Sequence, residues 1–195
     1  MPKGTYLHGD GVAEDFSCAA GPAGWRYASV LRAGDAVVGR VDVTLDGGGR
    51  QVRVELAAGG WLLRGGVAGP DTVWLRTAAG EAAGVERSAA ALGLTGPSPA
   101  FAVAVARRLR LSAGGSARCR LVAVTGPVLG TLLVDQQWRL AGVIEHPTET
   151  APLPVARYEV TDLATGQTRT LHLAGDVLVG APDLELTDLT GPPSL

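Results

Sequence analysis

The sequence predicts an α+β fold, mainly antiparallel β: a curved sheet or half barrel of roughly nine to eleven strands wrapped around one main α-helix at 98–111. Three observations carry that expectation. Apolar and polar residues alternate with period two through most of 37–77 and 117–189. Glycine, proline and aspartate interrupt the alternation at hairpin spacing. Only 98–111 shows strong helix chemistry.

Residues 1–23 are polar and glycine-rich, with Gly9-Asp10-Gly11 and Ala20-Gly21-Pro22 as turn signals, and read as an irregular N-terminal segment. A single β-rich domain is expected over 24–190, followed by a flexible tail at 191–195. Within it, Val37, Gly39, Val41, Val43 and Leu45 alternate with Val38, Arg40, Asp42 and Thr44. Asp46-Gly47-Gly48-Gly49 permits a tight reversal, and Val52, Val54 and Leu56 resume the pattern against Arg53 and Glu55, which makes a hairpin. Two further strands, Trp61–Val67 and Thr72–Thr77, flank the turn Gly69-Pro70-Asp71. Residues 24–77 thus form an antiparallel meander. Residues 79–97 lose periodicity and read as a connection with a short helix.

Ser98-Pro99 starts the main helix, because the serine hydroxyl can accept from an orphan backbone N–H and proline at the first helical position loses nothing. Phe101, Ala102, Val105, Ala106 and Leu109 share one arc, Arg107 and Arg110 point away, and Gly114-Gly115 stops the helix. Strands return at Ala117–Val124 and at Leu132–Ile144, the latter as one long strand or two short ones. Arg157–Leu163 pairs with Thr168–Leu173, and Asp176–Val179 and Leu184–Leu189 close the chain. Three prolines make Pro147–Pro154 a surface loop.

The chain has 195 residues, a formal net charge of −2, 46% hydrophobic and 18% charged residues, and a mean hydropathy of +0.20. That composition excludes a disordered tail and a basic nucleic-acid arm, so no nucleic-acid partner is expected. No apolar run reaches the roughly 18 to 20 residues of a transmembrane segment, and the start has no secretory pattern, so a cytoplasmic location is expected. Cys18 and Cys119 stand in no metal-like spacing and read as free, buried thiols.

Signatures of catalysis are missing. There is no Gly-x-Ser-x-Gly elbow, no P-loop and no His-Glu-x-x-His. Glu145, His146 and Glu149 cluster donors for a metal or a proton transfer, but they begin the proline-rich loop and read as a solvated segment. Asp42, Glu55, Asp135 and Glu159 lie on the polar side of their strands, as ordinary outward residues. The expectation is therefore a protein without enzymatic activity, cofactor or metal.

The large aromatics are more informative. Trp25, Trp61, Trp74 and Trp138 lie in or beside strands, and Phe101 leads the apolar face of the helix. They fill a core or, if the sheet is too curved for one helix to fill, line an apolar pocket whose rim arginines, such as Arg53, Arg64 and Arg76, hold a polar headgroup.

One family pattern runs through residues 35–190. Ser98-Pro99-Ala100-Phe101 through Ala106-Arg107-Arg108-Leu109, then Arg120–Val124, Val128-Leu129 and Asp135–Leu140, resemble in order the Ser/Thr-Pro helix with its double arginine, the next strand and the Gln-Arg-Tyr strand of a family of glycolipid-binding proteins. Leu45-Asp46, Arg50–Val54 and Trp74-Leu75-Arg76 are similar to its early meander, and Arg157–Glu159, Leu173–Val179 and Pro182–Leu186 to its closing hairpin. The chain departs from the family at the helix start, where Ala102-Val103-Ala104 replaces a polar Thr-Asn-Thr, and at Gly84–Ser88, which replaces an Asp-Gly-Cys-x-Asp lead-in. The resemblance implies a half barrel similar to lipoprotein carriers (LolA-like), with a helix in its concave face and a pocket more apolar than its relatives'. It implies binding of a hydrophobic small molecule, lipid-like or glycolipid-like, with Trp61, Trp74, Phe101, Arg107, Arg108, Trp138 and Tyr158 as ligand-binding residues. The alternative expectation is a protein-interaction or self-associating domain with a filled core.

Overall fold

The computed structural model describes residues 1–81, 83–148 and 151–195. It overturns the α+β expectation: 64% of the described residues are strand and 6% are helix, and the architecture is two facing β-sheets, not a sheet wrapped around a main helix. The first sheet has nine antiparallel strands. In chain order these are β1 (Lys3–His8), β2 (Ala13–Gly21), β3 (Gly24–Ala33), β4 (Ala36–Asp46), β5 (Gln51–Ala58), β6 (Trp61–Ala68), β7 (Asp71–Ala78) and β8 (Val85–Ala89), joined by the returning C-terminal strand β15 (Leu184–Thr190) beside β1. The second is a six-stranded half-barrel sheet. It comprises β9 (Leu94–Thr95), β10 (Ser116–Thr125), β11 (Gly130–His146), β12 (Leu153–Asp162), β13 (Thr168–Ala174) and β14 (Val177–Gly180), antiparallel except where β9 runs parallel to β10.

The fifteen strands exceed the expected number because two stretches expected to be irregular or partly helical hold four strands. Residues 1–23 hold β1 and β2. The alternation in β2 is present but disguised, since its inward positions are Glu14, Phe16 and Cys18, and a carboxylate occupies the first of them. The connection at 79–97 holds β8 and β9, with no helix among its described residues. Pro154 belongs to β12, opposite Glu145 of β11, so the proline-rich loop is shorter than expected and Glu149 lies outside the described residues.

The hairpins of 36–78 form where the alternation places them, except that Val37 and Val52 are exposed and a bulge at Thr44/Leu45 puts Gln51 in the inward place opposite Leu45. Val41, Val43 and Leu45 of β4 and Val54 and Leu56 of β5 turn inward together. Their shared face meets Leu121 of β10, Trp138 of β11, Val160 of β12 and Leu171 of β13 in one core between the sheets.

The helix α1 (Pro99–Leu109) is an 11-residue plug at that interface, touching β4 of one sheet and β9 and β14 of the other. It is shorter than the 98–111 expected, because Arg110 adopts a left-handed conformation (φ 47°) and its N–H caps the carbonyl of Ala106 before the glycine pair is reached. It is also not amphipathic in the expected sense. Pro99, Ala100, Phe101, Val103, Ala104, Val105 and Ala106 are all buried, because sheets lie on two sides of it.

Gly49, in the β4–β5 turn, ties the first sheet to this helix. Its φ is 77°, and a Cβ there would lie 2.8 Å from the carbonyl oxygen of Arg107. Gly49→Ala is expected to lower stability by about 1–3 kcal/mol, from strain in the left-handed region plus that backbone collision, read as a lower urea midpoint.

Candidate functional site

A half-open cleft of about 1140 Å³ lies between the inner face of the nine-stranded sheet, the start of α1 and the β10–β11 turn. Its floor follows one row of paired residues across the sheet: Leu31 opposite Gly39, Gly39 opposite Ala58, Ala58 opposite Trp61, and Trp61 opposite Ala78. Directly paired residues share a face, so this row is continuous, and beyond Leu31 it leads to the buried Glu14. Four interstrand steps of about 4.8 Å make the floor roughly 19 Å long. Leu31, Val41 and Leu56 give it an apolar floor, and Phe101, Val124 and Leu129 contribute from the opposite side. At the Trp61 end, Gly59 packs so closely on the Pro127 carbonyl that no Cβ would fit, which brings the hairpin turns of the two sheets together.

The other end is polar and tightly organised. Glu14 is completely buried. Its Oε1 accepts hydrogen bonds from the hydroxyls of Tyr27 (2.8 Å), Ser29 (2.7 Å) and Ser98 (2.6 Å), and its Oε2 pairs with His8 Nε2 at 2.9 Å. Ser98 does double duty, since its Oγ also accepts from the N–H of Ala100 as the helix N-cap. Burial, followed by the negative charge of Glu14, pushes the Tyr27 hydroxyl well above its ordinary pKa, so it serves here as a neutral donor. His8 and Ser98 face both the main cleft and a neighbouring cavity of about 520 Å³.

The expected site residues are distributed rather than gathered. Trp61 and Phe101 line the main cleft, and the guanidinium of Arg76 sits 4.6 Å from the centre of the Trp61 ring. Arg107 and Tyr158 line a separate cavity of about 570 Å³ at the other end of the helix. Arg107 does not point away as the helical arc suggests: its guanidinium lies 5.9 Å from the Trp25 ring centre, with Nε buried and without a hydrogen-bond partner among the described residues. Trp138 lines the third cavity, where its indole donates to Gln136 and the Tyr158 ring meets it edge-on. Trp74 is buried in the core and Arg108 is exposed, and neither lines these cavities. Arg53 and Arg64 pair with Glu55 on the outer face, so they form no rim. Asp42, Asp135 and Glu159 likewise hold exposed arginines, as their outward reading requires.

His8 and Glu14 escape motif reasoning. They are six residues apart across a turn, and the third partner, Ser98, is 84 residues from Glu14. The one available signal is an acidic residue at an inward position of an alternating strand.

A second buried carboxylate, Asp176, accepts from Trp25 Nε1 (3.3 Å), the Cys18 thiol (3.5 Å) and the Ser194 N–H (2.7 Å). Both cysteines are free and buried. Among the described residues no group of three or more His, Cys, Asp or Glu side chains is placed to hold a metal, and no helix is long and apolar enough to cross a membrane.

No family model matches the chain, and no curated protein matches it. Among solved structures, the chain is similar to a DUF1089 family protein from Pseudomonas aeruginosa. The TM-score is 0.52 at 14% identity, over 88% of this chain and 83% of that one. At that identity the likeness shows the fold alone.

Two outcomes follow from these networks. Ser98→Ala removes a helix cap and one donor to a buried carboxylate and is expected to cost about 1–2 kcal/mol in urea unfolding. Burial, with Asp176 adding to it, pushes the Cys18 thiol up to about 12, and burial followed by Asp135 raises Cys119 to about 11. A thiol with a raised folded-state pKa gives stability that is complete below the unfolded value, near 9, and is lost as pH rises toward the folded one. Melting temperature should therefore fall across about pH 9–11, less steeply in Cys18→Ala.

Proposed function

We propose that the protein binds one hydrophobic ligand, lipid-like or glycolipid-like, in the main cleft, without catalysis. The observation that carries this reading is the cleft itself. It is long, apolar along its floor, polar at one end, and slightly larger than the roughly 300–1,000 Å³ usual for small-molecule sites. An alkyl chain laid along the row from Leu31 to Trp61 would displace water from apolar walls at about 0.8 kcal/mol per buried methylene. The resemblance of the 98–140 segment to glycolipid-binding proteins supports the same reading, and the half-barrel sheet is consistent with it.

Within this reading the ligand contacts are Trp61 and Phe101. Phe101 is fully buried, so truncating it would cost about 3–5 kcal/mol of folding stability and confuse the two effects. Trp61 is half-buried and is the cleaner probe.

Native mass spectrometry of gently purified protein, with organic extraction of whatever dissociates, tests the reading directly. A stoichiometric amphiphile is the expected result, and an apo mass that persists after incubation with mixed lipids would overturn it. Affinity for a homologous series of alkyl ligands should rise roughly tenfold for each two added methylenes until the cleft is filled. Trp61→Ala should weaken binding about tenfold with little change in melting temperature.

A second reading, self-association, is favoured by a separate observation. Leu132, Leu133, Val143 and Ile144 are about half exposed toward the two ends of the 17-residue β11. Light scattering that shows a stable dimer, dispersed by Ile144→Lys, would support this reading, and a monomer at all concentrations would remove it.

A further inference from the structure

We infer that His8, held by Glu14, is the residue that selects the headgroup of a ligand in the main cleft, and that it selects for a hydrogen-bond donor such as an alcohol hydroxyl. The inference rests on the cleft being the ligand site and goes beyond it by assigning the polar contact and its sense.

Oε1 of Glu14 already receives three hydroxyl protons, from Tyr27, Ser29 and Ser98. The remaining proton of the network lies between Oε2 and His8 Nε2. Imidazole nitrogen is the more basic of the two atom types, so Nε2 carries the proton and donates it to the carboxylate. In the neutral ring, Nδ1 is then left as an acceptor. The carboxylate fixes the tautomer, much as an outer carboxylate fixes a metal-binding histidine.

Nδ1 has no hydrogen-bond partner among the described residues, yet it is not among the buried unsatisfied atoms. It is therefore open to the space that His8 lines. The side chain is 13% exposed, and that exposure opens on the main cleft and its neighbour. An apolar groove thus ends on an oriented acceptor. Nearby, Asp10 lines the same space with a carboxylate, which again favours a donor over an anion.

The probe pair that isolates this contact is 1-dodecanol and dodecyl methyl ether, which share chain length and an acceptor oxygen, while only the alcohol donates. Binding is measured by calorimetry at one fixed pH, about 8. The intact chain is expected to bind the alcohol at least about fivefold more tightly. In His8→Phe the preference should vanish while affinity for the ether stays within about twofold. Equal affinity of the intact chain for both probes, or a preference that survives in His8→Phe, overturns the inference and leaves the cleft reading standing. If neither probe binds, the cleft reading falls and this assignment falls with it. Should His8→Phe fail to fold, nitrogen-15 NMR of the unmodified protein decides. The His8 Nδ1 resonance, assigned by comparison with His146→Gln and His172→Gln, should move on addition of the alcohol and not of the ether. A resonance that moves equally with both, or with neither while the alcohol binds, would overturn the assignment.

Discussion

A single buried carboxylate holds the ends of several elements in place. Removing Glu14 from water is costly unless every lone pair finds a donor, and the donors come from the end of β1, from two positions on β3 and from the residue that caps α1. Tyr27 and Ser29 lie on the strand paired with β2, so their geometry is set by local register. Ser98 is different. It reaches Glu14 only if the helix starts at one particular place on the first sheet, and its bond therefore fixes where the helix begins. The hydrophobic core supplies most of the stabilisation of the two-sheet packing. A non-directional force of that kind does not choose one helix position over its neighbours, whereas a carboxylate with four directional partners does.

The same anchor explains why Phe101 sits where it does. With Ser98 tied down as N-cap, a residue three positions on is placed one turn later. That turn faces the cleft wall made by Val124 and Leu129. The helix C-terminus is held separately, by Arg110 donating to Gly47 and by the tight approach of Gly49 to the Arg107 carbonyl. The 11-residue helix is thus pinned at both ends to the first sheet, although the fold is otherwise β.

Much of the central meander was legible in the sequence because its inward positions are mostly apolar, Gln51 and Thr72 being buried exceptions. Val41, Val43 and Leu45 against Val54 and Leu56 leave no ambiguity about face or register. Legibility failed where inward residues are polar or absent. Glu14 hides the pattern of β2. β8 has no fully buried side chain at all, and β9 is only two residues long. The helix boundary was misplaced because a left-handed arginine, not the expected glycine, ends it. For the site, residue type pointed to the large aromatics, of which Trp61 and Phe101 line the cleft. It could not separate them from Trp74 and Trp138, which also face inward, because core and cleft wall lie on the same side of the sheet. The polar end was invisible, since its members meet only through the pairing of β1 with β2 and the docking of the helix.

The cleft itself follows from a mismatch of dimensions. An 11-residue helix is about 16 Å long and about 10 Å across with its side chains. The inner face of the first sheet, from β2 to β7, is roughly 24 Å wide. Whatever its direction, such a helix leaves part of that face uncovered. The second sheet compensates only in part, because its β10–β11 turn meets the β5–β6 turn at Gly59 and goes no further. The uncovered width is apolar because the strands crossing it keep the inward pattern that elsewhere makes the core. It ends in polar groups because Glu14 holds the helix start there. An apolar floor running out from this buried polar cluster is therefore a consequence of how the helix is anchored.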